Sequence, residues 1–330
     1  MVKKYIALFC SIFLLLGLVA CTDTKTEVEE EADLTVVGFS QPGAESTWRV
    51  ALTDSVKEAF TEERGYKLIY KDGKSKQDNQ IKDIRTFIQQ GVDYIILCPI
   101  VETGWDTVLE EAKAAGIPVI ICDRNVVVSN ESLYTAFVGS NFKAEGEDAI
   151  SFLEKVYTDE SRPINILHIQ GTIGSSAQMG RSEALEKAVE EHDNWNIIGQ
   201  ECGEFTKAKA REIMKNWLAE IAADEINVVY CENDEEAMGA MASMNEAGIE
   251  YGVDTDIMVV SFDATSAALE MCLNGQINLE VECNPLQGPY LYNIISTLEK
   301  GNAVPKIAYV DEGYFTKDML SKDIIAGRKY

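Results

Sequence analysis

Histidine is scarce in this sequence, and closely spaced cysteine pairs are absent from it. The 330 residues include two histidines and eight cysteines, and no two cysteines form a Cys-x-x-Cys pair. His168 lies within an apolar stretch and His192 follows a predicted helix, so no cluster has the spacing of metal ligands. Five of the six cysteines that follow Cys21 lie in apparent strands, where a thiol acts as a small apolar side chain. We therefore expect neither a metal site nor a cofactor.

Signatures of covalent catalysis and of dinucleotide binding are also lacking. The two histidines suggest no Ser-His-Asp set, and no Gly-x-Ser-x-Gly elbow is present. Gly171 and Gly174 follow a predicted strand, but the Gly-x-Gly-x-x-Gly spacing of a dinucleotide turn is missing. Acidic residues are so numerous that counting carboxylate pairs leaves glycosidase chemistry open.

Basic residues are few relative to acidic ones. Lysine and arginine total 29 against 55 aspartates and glutamates, which gives a formal net charge of −26. Binding to nucleic acid or to anionic lipid needs clustered Lys and Arg, so we predict neither partner. The acid excess is typical of a solvated, soluble surface.

The amino terminus has the pattern of an export signal. Lys3 and Lys4 precede an uncharged apolar run at 5–19, which is shorter than the ~20 residues that a membrane-spanning helix needs. Residues 18–21, Leu-Val-Ala-Cys, resemble the lipobox of bacterial lipoproteins, although an ordinary signal with a chance cysteine is the alternative. We predict a signal peptide at 1–20, lipidation of Cys21 and an acidic tether at 21–33 that cannot bury a core.

From residue 34 onward, short apolar runs alternate with amphipathic stretches, which favours parallel α/β organisation. The pattern occurs twice and predicts two doubly wound parallel-sheet lobes. Strands are predicted at 34–39, 67–71, 94–98, 118–122 and 134–139, and then at 165–170, 196–202, 227–232 and 257–262. Helices are predicted near 46–64, 77–90 and 104–115, and then near 141–156, 176–191, 207–221 and 235–247.

Polar side chains follow the strands of both predicted lobes. They occur at 40–49, 123–124, 171–181, 233–234 and 263. In open α/β sheets the ligand crevice lies beyond the carboxyl ends of the strands, so we expect these groups to share one cleft. Asp, Asn and Arg can bond sugar hydroxyls, and an aromatic ring such as Trp48 or Phe205 can cover an apolar sugar face.

Short motifs occur along the chain from about 34 to 330. They include Gly38-Phe39-Ser40-Gln41, Glu-Ser-x-Trp-Arg at 45–49, Asp72-Gly73, Gly91-Val92-Asp93, Ala-Gly-Ile-Pro-Val at 115–119, Asp123-Arg124, Gln170-Gly171-Thr172, Glu232-Asn233-Asp234 and Phe262-Asp263. Together they resemble the periplasmic sugar-binding proteins of the ribose and galactose type, and most of all the galactofuranose-binding proteins of ABC importers. Glu-Ser-x-Trp-Arg is the most selective part of the resemblance.

The resemblance implies two lobes with three crossings near Val138, Asn284 and Lys306, and a ligand that is trapped when the hinge closes. The first lobe is then 34–138 plus 285–303, and the second is 139–284 plus 304–330. Carried over by position, the ligand-binding residues are Glu45, Trp48, Arg49, Asp123, Arg124, Arg181, Asn233 and Asp263. Ser40, Phe205 and Asn284 are tentative ligand contacts. Asn284 is tentative because cysteine occupies position 283, where ribose binders usually have glutamine.

The export signal, the twin lobes and the polar strand ends together favour binding without catalysis. The resemblance implies a monomeric, lipid-anchored binding protein at the outer face of the cell membrane or on its periplasmic side. It would capture a monosaccharide, such as galactofuranose or a related aldose, and deliver it to an ABC permease with its ATPase. The alternative is a tethered sensor of a sugar or furanosyl signal that reports to a membrane kinase or chemoreceptor, and the neighbouring genes would discriminate the two. A LacI-type regulator is disfavoured by the export signal.

Each candidate also has a structural interpretation. Trp48 and Phe205 are candidates for core packing, and Arg181 for a solvated helix position. Asn233 and Asp263 are possible helix caps, a role compatible with sugar binding. The Asp123-Arg124 pair is a possible loop ion pair of little energetic value.

Overall fold

The computed structural model describes residues 34–330. The predicted signal peptide, the lipidation site Cys21 and the tether at 21–33 lie outside the described residues. The strands in chain order are β1 (Thr35–Gln41), β2 (Tyr66–Asp72), β3 (Tyr94–Leu97), β4 (Val119–Cys122), β5 (Ala136–Gly139), β6 (Ile164–Gln170), β7 (Trp195–Cys202), β8 (Val228–Cys231), β9 (Met258–Asp263), β10 (Leu279–Glu282), β11 (Ile307–Tyr309) and β12 (Tyr314–Phe315).

Helices connect most of these strands. In chain order they are α1 (Thr47–Ala59), α2 (Gln77–Gln90), α3 (Asp106–Ala114), α4 (Phe142–Val156), α5 (Ser176–Glu191), α6 (Lys207–Glu220), α7 (Asp234–Ala247), α8 (Ser266–Leu273), α9 (Gly288–Glu299) and α10 (Lys322–Gly327). None of the helices within 34–330 is long and apolar enough to span a bilayer.

Two six-stranded sheets with the same strand order form the two lobes. The first sheet runs β11-β5-β4-β3-β1-β2 and the second runs β12-β10-β9-β8-β6-β7. Every pairing is parallel except that of β10 with β12. Each sheet therefore reverses its winding direction once, between β1 and β3 and between β6 and β8, and such switch points open a crevice at the carboxyl ends.

Alternating side chains pack on both faces of each sheet. In β3, Ile95 and Leu97 join the cluster that contains α2 and α3, whereas Ile96 joins the cluster that contains α1 and α9. The second sheet is covered by α4 and α5 on one face and by α6, α7 and α8 on the other. Strands buried on both faces read as continuous apolar runs, which is why the sequence pattern located them.

The chain passes between the sheets three times. The first passage (140–141) joins β5 to α4, the second (283–287) joins β10 to α9, and the third (310–313) joins β11 to β12. Three passages were predicted, but the third was expected near Lys306. Strand β11 pairs with β5, with Ile307 opposite Phe137, so 307–309 belongs to the first sheet and the predicted crossing is about four residues too early. The remaining lobe boundaries stay a prediction.

Candidate functional site

The carboxyl ends of the strands deliver the candidate side chains. Asp123 follows β4 directly, with a backbone φ of 62°, and Asp263 ends β9 with a φ of 107°. Positive φ is uncommon for residues with a side chain, and such strain clusters at functional sites. Asn233 ends the loop after β8 and caps α7, since its Oδ1 accepts from the Glu236 amide at 2.9 Å. Asn233 therefore has the capping role that its sequence position also suggested.

The first lobe contributes an ion-pair network of four residues. Arg49 donates to the Asp123 carboxylate and lies 3.3 Å from Glu45 Oε1, while Arg124 Nη2 lies 2.5 Å from the same oxygen. All four side chains are at most 8% exposed. Burial by itself would raise the pKa of Glu45, but the guanidinium groups of Arg124 and Arg49 lower it below its usual value. The network therefore holds its arginines in fixed positions.

The second lobe contributes a matching network around Arg181. Arg181 donates to Glu145 Oε2 from Nε at 2.8 Å and from Nη2 at 2.7 Å, and its Nη2 lies 3.7 Å from Asp263 Oδ1. Its third partner is the carbonyl of Glu232. Burial raises the pKa of Asp263 well above its usual range, and Arg181 opposes that rise only in part. The Asp263 carboxyl therefore lies buried at the cavity beside Arg181, where its oxygens can accept hydrogen bonds.

These side chains converge on one cavity between the lobes. All eight firmly predicted residues line it. The tentative residue Phe205 lines it as well, and Arg124 lies over its ring at 5.1 Å from the centroid. Trp48 presents its ring to the cavity while its indole N–H donates to the Cys283 carbonyl at 2.6 Å. Both aromatic residues also belong to the core cluster behind the cavity.

Two tentative residues lie elsewhere. The Ser40 hydroxyl donates to Asp83 Oδ2 at 3.2 Å, and Ser40 is outside the cavity lining. The Asn284 side chain accepts from the Leu286 amide at 2.9 Å within the second passage and is outside the lining too. The side chains of Ser40 and Asn284 therefore bond partners outside the cavity lining.

Some residues at the cavity were missed. Phe142, Ser46, Ala177 and Cys283 line it, and Glu145 anchors Arg181 from behind. Phe142 is the first residue of α4 and comes three residues after the end of β5. Its place just beyond a strand end is the sequence signal that could have identified it.

The lobes touch at the rim of this cavity. The Asn125 amide donates to Ser176 Oγ at 2.8 Å, and the Glu102 amide donates to the Gly174 carbonyl at 2.9 Å. Together with the stacking of Arg124 on Phe205, these bonds join the first lobe to the second. The lobes are therefore in a closed arrangement, in contact with each other beside the cavity.

Comparison with known proteins defines the class. Residues 37–302 match the model of the periplasmic binding protein domain, and the chain belongs to that family. It is therefore a solute-binding protein with the type I fold, as predicted, and not an enzyme.

Three relatives show which branch of the family it resembles. The chain is 36% identical to the galactofuranose-binding protein YtfQ of Escherichia coli (strain K12) over 271 residues, which covers 82% of this chain and 84% of that protein. A Mycobacterium smegmatis structure in complex with β-D-fucofuranose has a TM-score of 0.81 at 37% identity, covering 86% and 91% of the two chains. The periplasmic binding protein of the arabinose ABC transporter of Shewanella sp. ANA-3, bound to α- and β-L-arabinofuranose, has a TM-score of 0.79 at 38% identity, covering 86% and 92%.

Proposed function

We propose that this protein binds an aldose in its furanose form, with galactofuranose or a closely related sugar as the ligand. The observation that carries the proposal is the charge balance of this cavity. Arg49, Arg124 and Arg181 are each paired with a carboxylate, and burial raises the pKa of Asp263. Such a cavity has strong donors and acceptors but little net charge, so it suits a neutral polyhydroxyl ligand better than an ion.

Each class of side chain has a role in this proposal. The guanidinium forks of Arg49, Arg124 and Arg181 donate to hydroxyl oxygens, and the oxygens of Glu45, Asp123 and Asp263 accept from hydroxyl hydrogens. Asn233 can do both. Trp48 lies against a carbon face of the ring, where apolar contact and C–H groups meet the aromatic surface.

The relatives support the ring form. The three relatives named above are a galactofuranose-binding protein, a complex with fucofuranose and a complex with arabinofuranose. These sugars differ in their substituents but share a five-membered ring. We therefore propose that the cavity selects the ring form first and the particular sugar second.

We further propose that the protein is the binding component of an ABC importer. It closes on the sugar by rotation about the three passages and presents the closed form to a permease with its ATPase. A lipid on Cys21 would keep it beside that permease. The Shewanella relative, a component of an ABC transporter, supports import over the alternative of sensing.

Titration calorimetry against a sugar panel tests the ligand. The panel contains D-galactose, D-fucose, L-arabinose and D-ribose, together with myo-inositol, which has no furanose form. We expect binding to at least one aldose and none to myo-inositol, and a crystal structure of the complex then shows the ring form. Binding of myo-inositol in preference to every aldose, or no binding at all, would overturn the proposal.

A further inference from the structure

One carboxylate oxygen joins all three passages between the lobes. Glu312 lies in the third passage, and its Oε1 accepts from Ser140 Oγ of the first passage at 2.5 Å. The same oxygen accepts from the backbone amide of Asn284, in the second passage, at 2.6 Å. Any rotation of one lobe against the other changes the relative positions of these three segments. The hydrogen bonds of Glu312 would therefore change when one lobe rotates against the other.

A second set of contacts leads from Glu312 to the candidate site. A carboxylate oxygen of Glu312, a carboxylate oxygen of Glu145 and the sulfur of Cys283 all lie within 4.8 Å of one another. Glu145 binds Arg181 through Oε2, whereas its Oε1 is buried without a hydrogen-bond partner. Arg181 lines the cavity. Glu145 and Arg181 therefore connect Glu312 to the cavity.

Two carboxylates this close do not both ionise at neutral pH without a large cost. Arg181 neutralises Glu145 directly. Burial and the charge of Glu145 raise the pKa of Glu312 to about 9, which Ser140, the Asn284 amide and Arg181 offset in part. The other titratable groups that act on this cluster are Cys283, whose thiol has a pKa raised well above its usual range by burial, and beyond it Asp263 and Asp123.

We propose that Glu312 is a positioning residue for sugar binding, which joins the three passages in the closed arrangement and lies next to Glu145, the residue that orients Arg181. The inference rests on the proposed sugar-binding function. Ionised Glu312 would face the unpartnered oxygen of Glu145 with a second negative charge. That repulsion acts only when the passages are in the closed geometry, so it opposes closure and weakens affinity.

The test is the pH profile of D-galactose affinity, measured by calorimetry on the mature full-length chain from about pH 6.5 to 9.5. The wild type is expected to lose affinity by about tenfold between pH 7 and 9.5. Glu312→Gln keeps an acceptor for Ser140 and Asn284 and cannot ionise, so its affinity should stay within about twofold over the same range.

The matched control is Asp83→Asn. Asp83 is also a half-buried acid with a raised pKa and a serine donor, Ser40, but it lies in the first lobe away from the passages. This variant should lose affinity with pH as the wild type does. If the wild type binds with a flat profile, or if Glu312→Gln shows the wild-type loss, the inference is wrong while the sugar-binding proposal stands. Absence of binding by every panel sugar at every pH overturns the proposed function instead.

Ser140→Ala provides a second readout in case Glu312→Gln fails to fold, which circular dichroism would reveal. The Ser140 hydroxyl favours the ionised form of Glu312, so its removal should move the midpoint of the affinity loss to higher pH. A purely structural role for Glu312 would lower affinity at all pH values without moving that midpoint. An unmoved midpoint would therefore contradict the proposal.

Discussion

At the scale of single residues, backbone conformation and side-chain chemistry meet at Asp123 and Asp263. Both adopt positive φ at the end of a strand, and both place a buried carboxyl at the cavity. Gly139 lies beside the first of these turns, where an added Cβ would approach the Asp123 carbonyl to 2.5 Å. A strand neighbour without a side chain therefore makes room for the strained turn that aims Asp123.

Loss of a charged group at the cavity should weaken sugar binding. Hydrogen bonds to charged groups contribute ~1.5 to 3 kcal/mol each, and ~1.4 kcal/mol is a factor of ten in affinity. Arg124→Ala and Asp263→Ala should each weaken binding of the best panel sugar by roughly ten- to a hundredfold or more in calorimetry.

Ser40→Ala is the control for these two variants. The Ser40 hydroxyl bonds Asp83 and not the cavity, so its loss should leave the affinity unchanged. The site assignment is wrong if either cavity variant binds like the wild type while it stays folded.

Glu280 is a buried acid whose pKa is raised in the folded protein. It is fully buried in β10, beside Asp234. Burial and the neighbouring Asp234 raise its pKa well above the usual range. In the unfolded chain Glu280 loses its proton above the ordinary pKa of a glutamate, whereas in the folded protein it keeps the proton to higher pH. The contribution of Glu280 to the free energy of unfolding is therefore largest in acid. It falls as pH rises, by up to ~1.4 kcal/mol per pH unit.

Glu280→Gln should therefore flatten the pH dependence of stability and raise the free energy of unfolding at neutral pH. Urea unfolding monitored at several values from about pH 5 to 8 measures this. Equal slopes for variant and wild type would show that Glu280 is not protonated on folding.

At the scale of elements, several helices of the second lobe approach one another through glycine. A Cβ on Gly239 of α7 would lie 2.3 Å from the Lys207 carbonyl at the start of α6. Gly146 and Gly180 similarly let α4 and α5 approach closely, since a Cβ on Gly146 would lie 2.6 Å from the Ala184 Cβ. These contacts fix the spacing of the helix layers that cover the second sheet.

Gly239→Ala should destabilise the protein by roughly 1 to 3 kcal/mol, the usual cost of overpacking. The obstacle is backbone, which cannot rotate away. Thermal unfolding measures the loss, and Gly327→Ala in α10, where an added Cβ would meet nothing within 4 Å, should leave the melting temperature nearly unchanged. A Gly239 variant as stable as this control would mean that α6 and α7 separate easily.

The sequence pattern predicted β1 through β9 and missed the last three strands. The central strands are apolar runs and the edge strands β2 and β7 keep an apolar stretch among polar residues, whereas β10 alternates Leu279-Glu280-Val281-Glu282 and includes a buried acid. β11 and β12 are only three and two residues long, too short for periodicity to register. The strand-end rule indicated the segments, and the resemblance selected within them the eight residues that line the cavity. Neither could show that Ser40 bonds Asp83, because side-chain direction depends on the neighbouring strand and helix.

At the scale of the whole molecule, lipidation of Cys21 is the prediction that concerns where the lobes work. Cys21→Ala should abolish lipid attachment and release a folded protein into the medium or periplasm, because the composition of 21–33 is too polar to predict a buried core there. Metabolic labelling with a fatty acid and fractionation of the cells measure this. Label on the variant, or retention of the variant at the membrane with unchanged yield, would refute lipidation at Cys21.

The pairing of β11 with β5 also affects how the molecule is made. During synthesis from the amino terminus, β5 is complete at residue 139. The strand that pairs with the free edge of β5 is β11 at 307–309, which is made after nearly the whole second lobe. An unpaired strand edge invites association with other chains, and contacts between distant residues form slowly. The sheet of the first lobe therefore stays incomplete while about half of the chain is synthesised. Nascent chains of this protein are thus candidates for chaperone protection until β11 has emerged.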